Sequence, residues 1–546
     1  MKLKLFILLY GLLFSLNIKA QPIPQLIKDI SPGPGTSAPW RFIQMNEILY
    51  FVANDGVNGS ELWRTDATEA GTYMVKNIGS GDFDLCESTN GCREESIVMN
   101  NILYFKASDP VHGAELWRSD GTEAGTYLLK DINPGIGDCT NYYMSGQYFA
   151  VLNDILYFAA DDGNNVELWR SDGTEAGTYL VKDFAAGISS FPQYITAIEN
   201  YIYFRCINAL GNAELWKSDG TDAGSVLLKQ LWIYSPEYKN MFIEYDEYIY
   251  FAGGDDPDNI YNFELWRTDG TPAGTALFMD INEVEEVGST PHQFHILNDK
   301  LLFSADNSHN IYISDGTVAG TAKLSDHNGN EFDATYEAYL LAESKFYFQA
   351  TNDEDELGLW VTDGTNAGTK FLSAIESGVF SEYANFNDYY ATAVNGNNII
   401  YRGYDDENGC AAIFQSDGTA PGTFQTLECD ILSSVSSIIT YNGKVILSGV
   451  ADTYGGELWM FEPEFNTGLH NFSESDRITI YPNPASEYLQ FSNIGQEISN
   501  DEIEIHNIEG KIMKSYPFSD RVSISDLIPG IYFITINNTV SKFIKE

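Results

Sequence analysis

The sequence predicts an all-β fold, a closed ring of small antiparallel sheets followed by a separate, smaller sandwich. Three observations carry this. A twelve-residue motif recurs along most of the chain at intervals of 45–54 residues, the length of one four-stranded blade of a β-propeller. Tyr, Phe and Trp make up 14% of the residues, and aromatic side chains favour pleated, half-buried surfaces. No window of the body sustains a 3.6-residue period, so helices are not expected there.

The N-terminus comes first. Lys2 and Lys4 precede an apolar run at 6–16 and a polar stretch that ends at Ala20, before Gln21-Pro22. This pattern reads as a secretory signal peptide, residues 1–20, cleaved between Ala20 and Gln21. The run is too short to cross a bilayer, and no later segment approaches the roughly 20 apolar residues a membrane helix needs. Cleavage would remove three of the 30 basic residues and no acid, moving the formal charge from -48 to -51. Such a field repels phosphate backbones and anionic lipid, which argues against nucleic acid as a partner.

The motif is plainest as ELWRSDGTEAGT at 115–126 and again at 167–178. Near-copies start at Glu61, Glu214 and Glu264, weaker ones at Asn310, Gly358 and Ala412, and a truncated ELWMFE at Glu457. The aromatic position is Trp63, Trp117, Trp169, Trp216, Trp266, Tyr312, Trp360, Phe414 and Trp459. Each interval holds four short strand-like runs punctuated by Gly, Asn and Asp; in the third they are 147–152, 155–160, 166–171 and 179–184. The second run is continuously apolar (48–51, 102–105, 155–158, 201–204, 248–251), which implies burial on both faces.

The last unit has three runs, 437–441, 445–450 and 457–461, and lacks a fourth. An orphan lies at the other end: Leu26-Ile27-Lys28-Asp29-Ile30-Ser31-Pro32-Gly33 matches Leu129-Lys130-Asp131-Ile132-Asn133-Pro134-Gly135. The N-terminal strand is therefore expected to complete the last blade and close the ring, removing exposed sheet edges. The count is nine blades, with eight or an open arc as alternatives. With these residues in view, 21–462 resembles the bacterial ELWxxDGT repeat proteins, a resemblance that implies secretion and leaves the ligand open.

The Asp-Gly-Thr segment falls between the third and fourth runs. Asp can accept from turn amides, Gly can take positive φ, and Thr can bond back to the backbone. Asp66, Asp120, Asp172, Asp219, Asp269, Asp315, Asp363 and Asp417 are thus expected to be turn formers, with Ala67 marking a less regular first turn. The placement is similar to the Asp boxes of sialidase propellers, which also form turns. Leu and Trp of the motif should face opposite sides of their strand and fill the space between blades.

Loops between second and third runs are acidic: Asn54-Asp55-Gly56, Asp161-Asp162, Asp255-Asp256 with Asp258, Asp306-Asn307, Asp353 and Asp355, Asp405-Asp406. They should share a face with the blade-to-blade connections and ring one mouth of the channel. Oxygen donors suit Ca²⁺, which makes Asp161, Asp162, Asp255, Asp256, Asp258, Asp353, Asp355, Asp405 and Asp406 calcium candidates, although none follows the spacing of a calcium-binding loop. His292 and His295 form an isolated HxxH without a nearby Glu, read as one inward and one outward strand residue. No nucleophile elbow, phosphate loop or carboxylate pair stands out, so no catalytic residue is assigned.

Six cysteines in an exported chain suggest disulfides. Cys86 and Cys92 could close a small loop. If the Asp417–Gly422 turn is symmetric, with Ser416 facing Thr423, Cys410 and Cys429 face each other across a hairpin. Nothing local pairs Cys139 or Cys206.

Beyond a linker at 463–476, residues 477–546 show seven short strand-like runs, expected to form a small Ig-like sandwich. Tyr481-Pro482-Asn483-Pro484-Ala485, Ile508-Glu509-Gly510-Lys511, Leu527-Ile528-Pro529-Gly530-Ile531-Tyr532-Phe533 and Lys542-Phe543-Ile544-Lys545 resemble the type A sorting domain of the Por (type IX) secretion system. That resemblance implies export to the surface of a Gram-negative cell or beyond, with the secretion machinery as a partner. The expected function is noncatalytic binding of a glycan, a protein or Ca²⁺ by a secreted or cell-surface propeller. The alternative is a secreted propeller glycosidase or lyase.

Overall fold

The computed structural model describes residues 22–79, 96–139, 149–233, 241–255, 262–282, 288–305, 310–352, 356–374, 392–405, 410–427, 432–451, 453–463, 479–481, 487–492, 502–506, 512–517, 521–536 and 539–545. The chain divides into two compact units, Met1–Pro463 and Glu464–Glu546. The proposed cleavage site lies outside the described residues.

The larger unit holds nine antiparallel sheets in a β-propeller arrangement, and no helix occurs among the described residues. Blade 1 is Trp40–Met45, Ile48–Asn54, Ser60–Thr65 and Tyr73–Lys76, paired in chain order. Blade 5 departs slightly, because Trp232–Ile233 and Ile243–Tyr245 share the role of first strand against Tyr248–Gly254. Blade 9 takes three strands from the end of the unit, Ser434–Tyr441, Lys444–Ala451 and Gly455–Phe461, and its fourth from Gln25–Lys28. Leu26 faces Trp459 and Lys28 faces Leu458, as Leu128 faces Trp117 and Lys130 faces Leu116 in blade 2.

First strands of neighbouring blades run close to one another, blades 9 and 1 included, which makes them the inner strands. Fourth strands form the rim, where Tyr73, Tyr127 and Tyr179 are exposed. Second strands are buried on both faces, as their unbroken apolar runs require; Leu49, Tyr50, Phe51, Val52 and Ala53 are all buried.

The core is a series of apolar layers between blades. Each unites the motif Leu of one blade with the motif aromatic of the next: Leu62 with Trp117, Leu116 with Trp169, Leu168 with Trp216, Leu215 with Trp266. The same layer contains Leu458 of blade 9 and Trp63 of blade 1. Opposite faces of one strand thus serve two different interfaces.

A β-bulge between motif Leu and Trp recurs in most blades. In blade 8 it falls between Ile413 and Phe414: Gln415 faces Phe424 and Phe414 faces Gln425, but Ile413 faces Leu427. The bulge inserts a residue, so the symmetric register that would set Cys410 opposite Cys429 stops at Phe414. Cys429, Cys86 and Cys92 lie outside the described residues.

In the smaller unit, Thr479–Tyr481, Tyr488–Ser492 and Arg521–Ser523 form one sheet, and Ile512–Pro517, Glu502–His506, Gly530–Ile536 and Thr539–Lys545 another. Leu489, Ile503, Ile505, Val522, Ile524, Leu527, Tyr532 and Ile534 make a common core.

Candidate functional site

The eight turns, seven Asp-Gly-Thr and one Asp-Ala-Thr, share one hydrogen-bond pattern. In blade 2, Asp120 Oδ1 accepts from Thr122 N at 2.9 Å and Thr122 Oγ1 at 2.7 Å. Gly125 N donates to Thr122 Oγ1, Thr126 Oγ1 donates to Thr122 O, and Ser119 and Thr126 hydroxyls meet at 2.7 Å. The Asp-to-Thr amide bond stays within 2.8–3.0 Å at Asp66, Asp120, Asp172, Asp219, Asp269, Asp315, Asp363 and Asp417. The Thr122 hydroxyl and amide hold the Asp120 carboxyl below the usual range. Gly125 is needed for space, since a Cβ there would overlap the Asp120 carboxylate.

Turn and neighbour are matched. Gly121 takes φ 87°, and a Cβ on it would overlap the Tyr50 hydroxyl of blade 1; Gly173 and Gly220 meet Tyr104 and Tyr157 in the same way. Ala67 also has positive φ (67°), yet it packs in the layer containing Ile446 of blade 9, which stands where blades 1 to 5 and 7 carry a Tyr. The departure at Ala67 is therefore accommodated by a partner without a hydroxyl.

The scarce cations bridge blades. Arg118 Nη1 donates to Gly173 O at 3.0 Å, and Lys217 Nζ to Gly270 O at 3.2 Å. From the fourth strands, Lys76 Nζ reaches Thr126 O at 2.6 Å and Lys130 Nζ reaches Thr178 O at 2.7 Å.

The motif Glu, given no role from sequence, anchors the opposite face in most of the blades that carry it; Glu214 instead accepts from Asn208 Nδ2 at 2.7 Å and Trp216 Nε1 at 2.9 Å. Glu115 is buried and accepts from Ile132 N and Asn133 N, both at 3.0 Å. Glu167 accepts from Phe184 N, Ser190 N and Ser190 Oγ; Glu264 accepts from Ile281 N, Ser289 N and Ser289 Oγ. Glu457 accepts from Ile30 N, Ser31 N and Ser37 Oγ. Burial outweighs these donors and raises Glu61, Glu115 and Glu167 to about 7. The signal available in sequence was a charged residue at a register position that must be buried.

The residue that meets Glu115, Glu167 or Glu457 also joins neighbouring blades. Cys139 N donates to Ala114 O of blade 2, and Cys139 O accepts from Asp161 N of blade 3. Ser37 and Ser190 make the equivalent bridges. Cys139 thus occupies the serine position, where its side chain bonds Glu115. Cys139 and Cys206 are both buried free thiols, and burial pushes both up.

These bridges place the acidic second-to-third-strand loops on the face of the blade-to-blade connections. There the carboxylates serve their own turns: Asp55 Oδ1 accepts from Val57 N and Asn58 N, Asp109 Oδ1 from Val111 N and His112 N, Asp161 Oδ1 from Gly163 N, and Asp162 Oδ1 from Asn164 N and Asn165 N. Asp255 is exposed. Asp256, Asp258, Asp353, Asp355 and Asp406 lie outside the described residues, as does the Asp405 side chain. Among the described residues no group of three or more His, Cys, Asp or Glu could hold a metal ion.

His292 and His295 correct the sequence reading. Both are buried, because a bulge between them, with Gln293 at φ 56°, breaks the in-out alternation. His292 Nδ1 lies 2.8 Å from Thr290 O, and burial lowers His295 to about 4.

Residues 479–546 match the model of the secretion system C-terminal sorting domain. The chain therefore carries an export address for the type IX system, directing it to the cell surface or the extracellular space. No curated protein matches the chain. Among solved structures it is similar to a puromycin hydrolase (12% identity, TM-score 0.35, covering 66% of this chain and 58% of that one). It is similar also to a prolyl endopeptidase (9%, 0.34, 71% and 55%) and a Mycobacterium tuberculosis puromycin-hydrolyzing peptidase (12%, 0.36, 61% and 53%). The chain spans little more than half the length of these structures. No helix is long and apolar enough to cross a membrane among the described residues.

Proposed function

We propose that residues 21–462 form a closed, noncatalytic binding propeller of the ELWxxDGT type, carried out of the cell by the sorting domain at 477–546 after removal of residues 1–20. The loop and connection face is its ligand-binding side. One observation carries this reading: the two faces differ in variability. The Asp-Gly-Thr and Asp-Ala-Thr turns repeat the same bonds in eight blades. The second-to-third-strand loops differ from blade to blade, from Asp55-Gly56-Val57-Asn58 to Asp161-Asp162-Gly163-Asn164-Asn165. Divergent loops on a rigid, repeated scaffold are where recognition resides. Ring closure is supported by the Gln25–Lys28 pairing and by the three donors from Ile30, Ser31 and Ser37 to Glu457.

The test is a glycan-array screen of the exported protein with and without calcium. Binding that is lost when loops 55–58 and 162–165 are replaced by Asn-Gly supports the reading. Absence of glycan binding together with absence of calcium-dependent stabilisation overturns it.

A further inference from the structure

Arg205 is spent differently from the cations that clamp neighbouring blades. Arg118, Arg170, Lys217 and Arg267 each reach a carbonyl of the next blade, and Lys182 pairs with Asp222 at 2.9 Å. Arg205, on the second strand of blade 4 (Tyr201–Ile207), does neither. Its Nη1 donates to Gln193 Oε1, and its guanidinium lies 5.4 Å from the Trp232 ring centroid. Its Nε, like those of Arg64, Arg118 and Arg170, is buried without a partner among the described residues. Burial, the dominant influence, lowers its pKa, and among the described residues the groups that act on it are the Tyr194 hydroxyl and the Cys206 thiol, neither of them a carboxylate. In a chain of 78 acidic and 30 basic residues, a half-buried guanidinium without a carboxylate is a costly exception.

It lies at the end of the sheets that carries the blade connections. Arg205 faces Leu215 across the sheet, in the layer between blades 4 and 5, and Trp232 begins the first strand of blade 5. Two residues on, Ile207 N donates to Ser190 O of the blade connection. The three side chains therefore meet near the inner strands, at the end of the sheets that carries the variable loops. Arg205 and Trp232 both retain solvent exposure.

We propose that Arg205, Trp232 and Gln193 form a subsite for a single uronate residue of an oligosaccharide. The guanidinium would pair with the carboxylate, the indole would cover the apolar face of the pyranose ring, and the Gln193 carboxamide would bond a ring hydroxyl. The protein's strongly negative field selects against polyanions, so one uronate in an otherwise neutral glycan fits best. This site rests on the reading of the propeller as a glycan-binding module.

Calorimetric titration of the full-length protein with a glucuronate-containing disaccharide and its neutral glucose counterpart tests it. Native protein is expected to prefer the uronate by about tenfold; Arg205→Gln abolishes the preference, Arg205→Lys retains part of it, and Trp232→Ala weakens both sugars alike. Without ligand, Arg205→Gln should melt at or above the native temperature, because it removes a buried charge without a carboxylate. Equal affinity of native protein for the two sugars, or a marked fall in melting temperature or loss of folding in Arg205→Gln, overturns the subsite. Array binding of other glycans would then leave the parent reading standing, whereas silence across the array together with no calcium-dependent stabilisation removes both.

Discussion

The interface between blades 9 and 1 and the interface between blades 1 and 2 solve the same packing problem with different parts. Both bury a motif Leu against the next blade's Trp, Leu458 with Trp63 and Leu62 with Trp117. Both hold a buried Glu with backbone amides from the end of a fourth strand, Glu457 at Ile30 and Ser31, Glu61 at Ile78 and Gly79. They part at the polar periphery. Tyr50 against Gly121 becomes Ile446 near Ala67, and the Lys76 contact at 2.6 Å becomes a 3.5 Å contact from Lys28 Nζ to Glu69 O. Met460 also replaces the motif Arg. The apolar layer and the carboxylate anchor are common to both; the cationic clamp is the part that varies.

Deleting residues 22–31 should have the largest effect. It uncovers the Gly455–Phe461 edge and strips Glu457 of its amides, so cooperative unfolding should be lost and aggregation should rise; a native-like melting curve would show that the strand does not hold blade 9. Next, Trp117→Ala and Trp63→Ala should each cost about 3–5 kcal/mol in denaturant titration. A value for Trp63 below about 1 kcal/mol would mean that the two interfaces are not equivalent, against the range expected for a buried Trp.

Gly121→Ala should cost about 2–4 kcal/mol, from left-handed strain together with overlap on the Tyr50 hydroxyl, and adding Tyr50→Phe should recover part of it. The mirror experiment at the other interface, Ile446→Tyr, should cost about 1–3 kcal/mol by crowding Ala67.

The glutamates give a pH signature. The folded values of Glu61, Glu115 and Glu167 lie at about 7, above those of an unfolded chain. Their contribution is therefore complete below the unfolded value and disappears as pH rises through about 7. Asp120 and Asp172, lowered chiefly by the Thr122 and Thr174 hydroxyls, act oppositely: their contribution is present above the ordinary Asp range and disappears as pH falls through it. Stability should thus peak at mildly acidic pH, and Glu115→Gln should flatten the decline toward neutrality. A melting temperature that rises steadily from pH 5 to 8 would contradict the burial argument. The smallest effect is expected for Ala67→Gly, a gain of about 0.5–1 kcal/mol from relief of positive φ; a loss would mean that the Ala67 methyl contributes packing that outweighs the strain.

Much of this was legible in the residues. Repeat spacing gave the blades, the unbroken apolar runs gave the doubly buried second strands, and Leu26 to Gly33 identified the partner of the last blade. The turn roles of the aspartates followed from their chemistry. The candidate site was legible only as a face, since the acidic loops showed where variation lies but not which side chains lack partners.

By itself, then, the sequence determined what is local or periodic: strand succession, turn chemistry, and the tail's export address. The tertiary structure alone decided what depends on register and on the neighbouring blade. A one-residue bulge between Ile413 and Phe414 ended the symmetric register of that hairpin, and another turned His292 and His295 both inward. Glu457 became an anchor only because Ile30, Ser31 and Ser37 converge on it from the other end of the unit. Ala67 and Ile446, far apart in sequence, are matched only where blades 9 and 1 meet. Arg205 stands out only once its surroundings are known, because a charge is ordinary in a sequence and costly where it is partly withdrawn from water with no described carboxylate beside it.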